Sequence, residues 1–207
     1  MSLFKRSRPD ADGEHPGRWV VVGLGNPGDD YAQTRHNAGV MTLEVLVERL
    51  GARLKRHKSN CLVGEVRFAG AAVVLARPLA YMNDSGRPVR ELVRWYKAPL
   101  DHLVVVHDEI DIAFGEIRVK SGGGTAGHNG LSSVAAHLGS KEFVRVRVGV
   151  SRPRGRREAA DHVLARFTGA ERKELPELLE RAADAVERVV EVGVERAMNE
   201  FNTRTRR

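Results

Sequence analysis

Four short stretches of this 207-residue sequence gather side chains that can move protons and hold amides. Gly23-Leu24-Gly25-Asn26-Pro27-Gly28 presents Asn26 and is followed by Tyr31 and His36. Tyr81-Met82-Asn83-Asp84-Ser85-Gly86 presents Asn83. His107-Asp108-Glu109-Ile110-Asp111 supplies a histidine and three acids. A glycine-rich run from Gly122 ends in His128-Asn129-Gly130. Of these side chains, one or two histidines, an acid and three asparagines could serve one reaction. No serine sits in a G-x-S-x-G elbow, and there is no H-E-x-x-H metal pair. Cys61 is the only cysteine, so neither an intramolecular disulfide nor a Cys-based zinc site is available. Asp108, Glu109 and Asp111 could ligate a divalent ion, but three acids in one short loop read first as a solvated turn. The chemistry that fits is hydrolysis without a metal, a cofactor or a covalent intermediate. A histidine–acid pair would activate water, and amides would polarise and orient the substrate. His128 is expected to stabilise the glycine loop, and His107 to end a strand.

The elements that must carry these loops can be read from periodicity. Trp19 to Leu24 is a buried strand, and Thr34 to Leu50 has apolar residues at helical spacing (Val40, Leu43, Val47, Leu50). Cys61 to Phe68 and Ala71 to Ala76 read as strands joined by a turn at Gly70. Asp84 or Ser85 caps a helix that runs to Tyr96 and stops before Pro99. His102 to His107 and Glu116 to Lys120 are strands, and Leu131 to Leu138 is helical. Phe143 to Val150 alternates, with Arg145 and Arg147 on one face. From Leu175 to Val190 one apolar stripe marks a long helix. Strands alternating with helices predict a single α/β domain: a mixed, mostly parallel twisted sheet with helices on both faces. Sites in such sheets form beyond the carboxyl ends of strands, where the four loops fall.

The first loop satisfies G-x-G-x-x-G, yet it fails the context of a dinucleotide site. Asn26-Pro27 interrupts the motif, and helical periodicity starts only near Thr34. Asp29 and Asp30 would repel a pyrophosphate, and no acid ends the second strand. The bulk numbers point elsewhere. Net charge is +7 and the isoelectric point about 10.0, a surface that attracts polyanions. Basic tails, with Arg204, Arg206 and Arg207 at the end, could account for part of that charge. No apolar run approaches a membrane span, and residues 1–18 lack the apolar segment of a secretory signal. The expectation is a cytoplasmic protein with a disordered extension over 1–18, one domain over 19–202 and a basic tail over 203–207.

The motifs in order resemble bacterial peptidyl-tRNA hydrolase. "GLGNPG", "RHN", "YMNDSG", "VVVHDEID", "GGGTAGHNGL" and "FVRVRVGVSRP" keep the family's sequence and spacing, as does a helical C-terminus ending "NEFN". The likeness runs from about Trp19 to Asn202. It implies a monomeric α/β enzyme with no obligate protein partner, cleaving the ester between a peptide and the 3′-terminal ribose of tRNA and so recycling tRNA. It implies His36 as general base, and Asp108 as the acid that supports that histidine. Asn26 becomes the residue that separates N-blocked from free aminoacyl ends. Asn83 and Asn129 become substrate-binding amides, and Tyr31 and Tyr81 contact tRNA. The resemblance further implies that Lys120 and Arg147 grip a tRNA phosphate. Thr125-Ala126 departs from the family's commoner glycine-loop pair. The roles suit the side chains. A neutral imidazole accepts a proton from water near pH 7, and asparagine donates and accepts without adding charge. The carbonyl oxygen of Asn26 is expected to take the N–H of a blocked acyl end, whereas a free α-ammonium there would be costly to bury.

Two rivals share parts of this reading. A non-catalytic RNA-binding relative of the same fold, akin to a splicing factor, explains the charge equally well. It leaves His36, Asp108 and the three asparagines without a use, because phosphate binding needs none of them. A hydrolase of small esters would use those residues but has no need of the basic surface.

Overall fold

The valines of the first strand explain how the sheet comes to be covered on both faces. In the computed structural model, which describes residues 17–153 and 158–203, β1 spans Trp19–Gly23 and is buried throughout. Val21 packs into one hydrophobic layer, Val20 and Val22 into the other. A strand with successive side chains pointing to opposite faces needs helices on both. The remaining strands are β2 Lys55–His57, β3 Cys61–Phe68, β4 Ala71–Pro78, β5 Leu103–Glu109, β6 Ile117–Ser121 and β7 Val144–Gly149. Their order across one sheet is β2-β3-β4-β1-β5-β7-β6. The four central strands β4, β1, β5 and β7 are parallel, and β3, β2 and β6 extend the edges in antiparallel fashion. The sheet is therefore mixed, with parallel pairing confined to its centre.

The helices are α1 Ala38–Arg49, α2 Gly86–Tyr96, α3 Asn129–Leu138, α4 Ala159–Leu164, α5 Gly169–Val192 and α6 Val194–Phe201. Apolar residues of α1, α5 and α6 share a layer with Val21, Leu75, Val104 and Val146. Those of α2 and α3 share the opposite layer with Val20, Val22, Ala76 and Val105. Because β4 and β5 flank β1 on either side, the connections after β1 and β4 leave in opposite directions. That is the topological switch at which α/β sheets open a crevice. Gly39 sets how closely α1 seats there: a Cβ would lie 2.2 Å from the Val106 carbonyl oxygen and 2.7 Å from that of Leu24.

Several sequence expectations shift. Residues 1–16 and 204–207 lie outside the described residues, as do 154–157 of the basic loop. Gly17 and Arg18 belong with the domain rather than with the extension: His102 Nδ1 donates to the Gly17 carbonyl at 2.9 Å, and the His102 ring stacks on Trp19. Neither Asp84 nor Ser85 caps α2 through its side chain. Ser85 is already helical and its hydroxyl turns back to the Tyr81 carbonyl. β5 continues through His107 to Glu109, and α3 starts at Asn129, two residues before its apolar period. β2 and α4 carry no signal in the sequence pattern, being three and six residues long.

Candidate active site

His36 sits in a 3-10 turn, Arg35–Asn37, between the glycine turn and α1. Three anchors hold that turn against the sheet. Asn37 donates through Nδ2 to the Asn26 carbonyl and accepts from the Asn26 N–H, both at 2.9 Å, which locks the two loop ends together. The Val40 N–H donates to the Leu24 carbonyl. On the other side, the buried Arg35 guanidinium donates to the Ala165 and Arg166 carbonyls and pairs with Glu171 at 2.6 Å. Arg35 thereby ties the His36 turn to the end of α4. Asn37 and Arg35 were not singled out in the sequence, although both lie beside His36 in "RHN".

The His36 ring reaches across to the end of β5. Its Nδ1 donates to Asp108 Oδ1 at 2.9 Å, and Nε2 has no partner among the described residues. The same carboxylate oxygen accepts from His128 Nε2 at 3.0 Å. His128 Nδ1 accepts from the Leu131 N–H, capping α3. A nitrogen that accepts cannot carry the proton, so the neutral His128 ring bears its proton on Nε2 and aims it at Asp108. His128 thus does more than stabilise the glycine loop. Burial opposes the Asp108 charge, but the imidazoles of His128 and His36 outweigh it and hold the carboxyl well below the usual carboxylate range. The ligand atoms of His36, Asp108 and His128 also lie within 4.8 Å of one another. As hydrogen-bonded here, the His128 lone pair is spent on Leu131, so a cation at this spot would first have to displace the Nε2 proton. The neighbouring acids point elsewhere: Glu109 pairs with Arg147 and Asp111 with Arg152.

A cleft of about 380 Å3 opens in front of these groups. Asn26, Tyr31, His36, Tyr81, Asn83, Asp108, His128 and Asn129 all line it. Tyr31 meets Tyr81 edge-on at 6.2 Å, and Asn83 and Asn129 are exposed. Asn26 is oriented by its neighbour across the cleft, because the Met82 N–H donates to its Oδ1 at 2.8 Å. One lone pair of that oxygen is thus taken by Met82, and Nδ2, a donor, has no partner among the described residues. Ile110 and the α4 residues Ala159, Ala160, Val163 and Leu164 add an apolar wall, with Leu164 45% exposed.

Lys120 and Arg147 stand outside the cleft, in an adjoining pocket of about 280 Å3 that also takes in His107, Gly124 and Arg145. Glu109 and Ala126 line both spaces. Lys120 is exposed, whereas Arg147 donates twice to Glu109 Oε2, at 3.0 and 3.2 Å. His107 lies inside β5, fully buried, with Nε2 unpartnered among the described residues. Burial and the neighbouring His128 keep it neutral, far below the usual imidazole pKa.

A model of the peptidyl-tRNA hydrolase family matches residues 20–207. The chain belongs to the peptidyl-tRNA hydrolase family. A peptidyl-tRNA hydrolase from Frankia casuarinae is 54% identical over 186 residues, which cover 90% of this chain and 94% of that one. One from Mycobacterium marinum is 54% identical over 87% of this chain and 95% of its own. Among solved structures, peptidyl-tRNA hydrolase from Acinetobacter baumannii superposes with a TM-score of 0.85 at 35% identity, covering 93% and 98% of the two chains. The enzyme hydrolyses peptidyl-tRNA, and the non-catalytic RNA-binding reading has no support. No helix among the described residues of this hydrolase is long and apolar enough to cross a membrane.

Proposed function

We propose that His36 is the general base of the hydrolase. The observation that carries this is the Nδ1–Asp108 hydrogen bond, which leaves Nε2 unpaired at a cleft lined by amides. With Nδ1 protonated and held by a carboxylate, Nε2 bears the lone pair. It takes a proton from water as the water oxygen attacks the ester carbonyl carbon. The bond between that carbonyl carbon and the ribose oxygen then breaks, and the departing ribose oxygen takes the proton back from Nε2. Asp108 fixes the tautomer and stabilises the imidazolium between the two steps, and His128 holds Asp108 in place. The Nδ2 of Asn26 donates to a carbonyl of the acyl chain, and Asn83 and Asn129 bind the peptide amides. Tyr31 and Tyr81 flank the tRNA end, and the α4 wall receives apolar side chains of the peptide. Lys120 and Arg147 bind a phosphate of the acceptor end.

All of these residues fall within 19–202, read here as a single catalytic domain, and the proposal has it work as a monomer on the cytoplasmic tRNA pool. No step needs a metal or cofactor. The test is release of the acyl group from N-acetyl-aminoacyl-tRNA in a chelator, with tRNA folding controlled, for wild type and Asp108→Asn. Wild type should be unaffected by the chelator. Asp108→Asn should lose turnover by about 10-fold or more yet stay above background, because the base survives with a poorer partner. Full activity in Asp108→Asn, or dependence on a divalent ion, would contradict the assignment.

A further inference from the structure

Arg145 is among the largest fully buried side chains of the protein, at 2% exposure, and no carboxylate lies within ion-pair reach among the described residues. Isolated buried charges are expensive, so something must solvate this one. Its Nη1 donates to the Gly124 carbonyl at 2.5 Å and one Nη2 proton to the Gly123 carbonyl at 2.6 Å, with a longer contact to Lys141 at 3.3 Å. The guanidinium also lies over the Phe143 ring. The planar fork therefore grips two successive carbonyls of the glycine loop from below.

That loop has little else to define its path. Gly122, Gly123, Ala126 and Gly127 all have positive φ, Ala126 at +48°, where a side chain is disfavoured. Apart from the His128 contacts with Asp108 and Leu131 at its end, its other ties are the Gly122 N–H to Phe143, the His128 N–H to Thr125, and a hydroxyl contact between Ser132 and Thr125. Yet the loop ends in His128 and Asn129, both of which line the cleft.

We infer that Arg145 is a positioning residue for hydrolysis: its guanidinium fork holds the Gly123 and Gly124 carbonyls and so sets where His128 and Asn129 stand in the cleft. It acts through the loop and does not touch the substrate. This separates it from Lys120 and Arg147, which line the same pocket. The fork is what matters, since lysine carries the same charge without a planar pair of donors.

The inference rests on His128 serving the cleft, and a double-mutant cycle separates the two ideas. Arg145→Lys, His128→Ala and the double variant are compared for kcat and KM on N-acetyl-aminoacyl-tRNA. Arg145→Lys should lower kcat about 10-fold or more, as small misplacements do, with KM within about twofold. In the His128→Ala background the same change should cost clearly less, since coupled residues are non-additive. Arg145→Gln, uncharged and easier to bury, is run through the same cycle in case the lysine variant is unstable. Equal losses in both backgrounds, or a loss confined to KM, would overturn the Arg145 role. Full kcat in His128→Ala alone would overturn the reading it rests on, and this inference with it.

Discussion

Asn26 shows how far residue types alone go. An asparagine beside a histidine is legible as a substrate amide, but which end of the amide faces the cleft is set by a backbone N–H 56 residues away. Met82 takes one lone pair of the oxygen and fixes the amide's orientation. Asn26→Asp keeps the acceptor for Met82 and replaces the donor by a second carboxylate oxygen in the cleft. It should lower kcat/KM for N-acetyl-aminoacyl-tRNA, whose acyl carbonyl loses its partner. It should also narrow the preference over free aminoacyl-tRNA, whose α-ammonium gains a counter-charge. Parallel assays on the two substrates read the ratio, and an unchanged ratio would move selection to Asn83 and Asn129. His128 was underestimated for a related reason. Its dual contact, to Leu131 and to Asp108, exists only once α3 and β5 are packed end to end.

At the scale of elements, long periodic stretches were legible and short ones were not. β1, α1, β3, β4 and the long α5 have enough residues for a pattern to emerge. α4 has six residues, and its wall of small apolar side chains matters because Arg35 and His162 hold it over the cleft. β5 extends past its apolar run because His107, Asp108 and Glu109 are buried polar residues, which a hydrophobic pattern reads as the strand's end. His107 supplies a test of that placement. Folded, it stays neutral; unfolded, it titrates near about pH 6.5. Below that value the unfolded state binds the additional proton, so stability falls as pH falls. His107→Gln should flatten the decline in urea midpoint between about pH 6.5 and 5, the window set by the ordinary imidazole value. Equal slopes for the two proteins would show that a different group carries the dependence.

Across the whole molecule, the charge of +7 indicated a polyanionic partner without locating where it binds. Several cations sit in ion pairs and add nothing to that excess: Arg35, Arg49, Arg147 and Arg188 all have carboxylate partners. Lys120 is the cleaner probe of tRNA contact, since removing Arg147 would also strand the buried Glu109 at the cleft wall. Lys120→Ala should raise KM, leave kcat nearly unchanged and reduce the salt slope of binding by about 0.7–0.9, one phosphate's worth of released counterion. A loss in kcat with an unchanged slope would make Lys120 part of the chemistry instead. Single-turnover hydrolysis of N-acetyl-aminoacyl-tRNA at saturating enzyme isolates the chemical step proposed for His36 from binding. His36→Ala should bind tRNA as wild type does and hydrolyse it at least about 10²-fold more slowly, the low end for general base catalysis. A single-turnover rate near wild type would contradict the account.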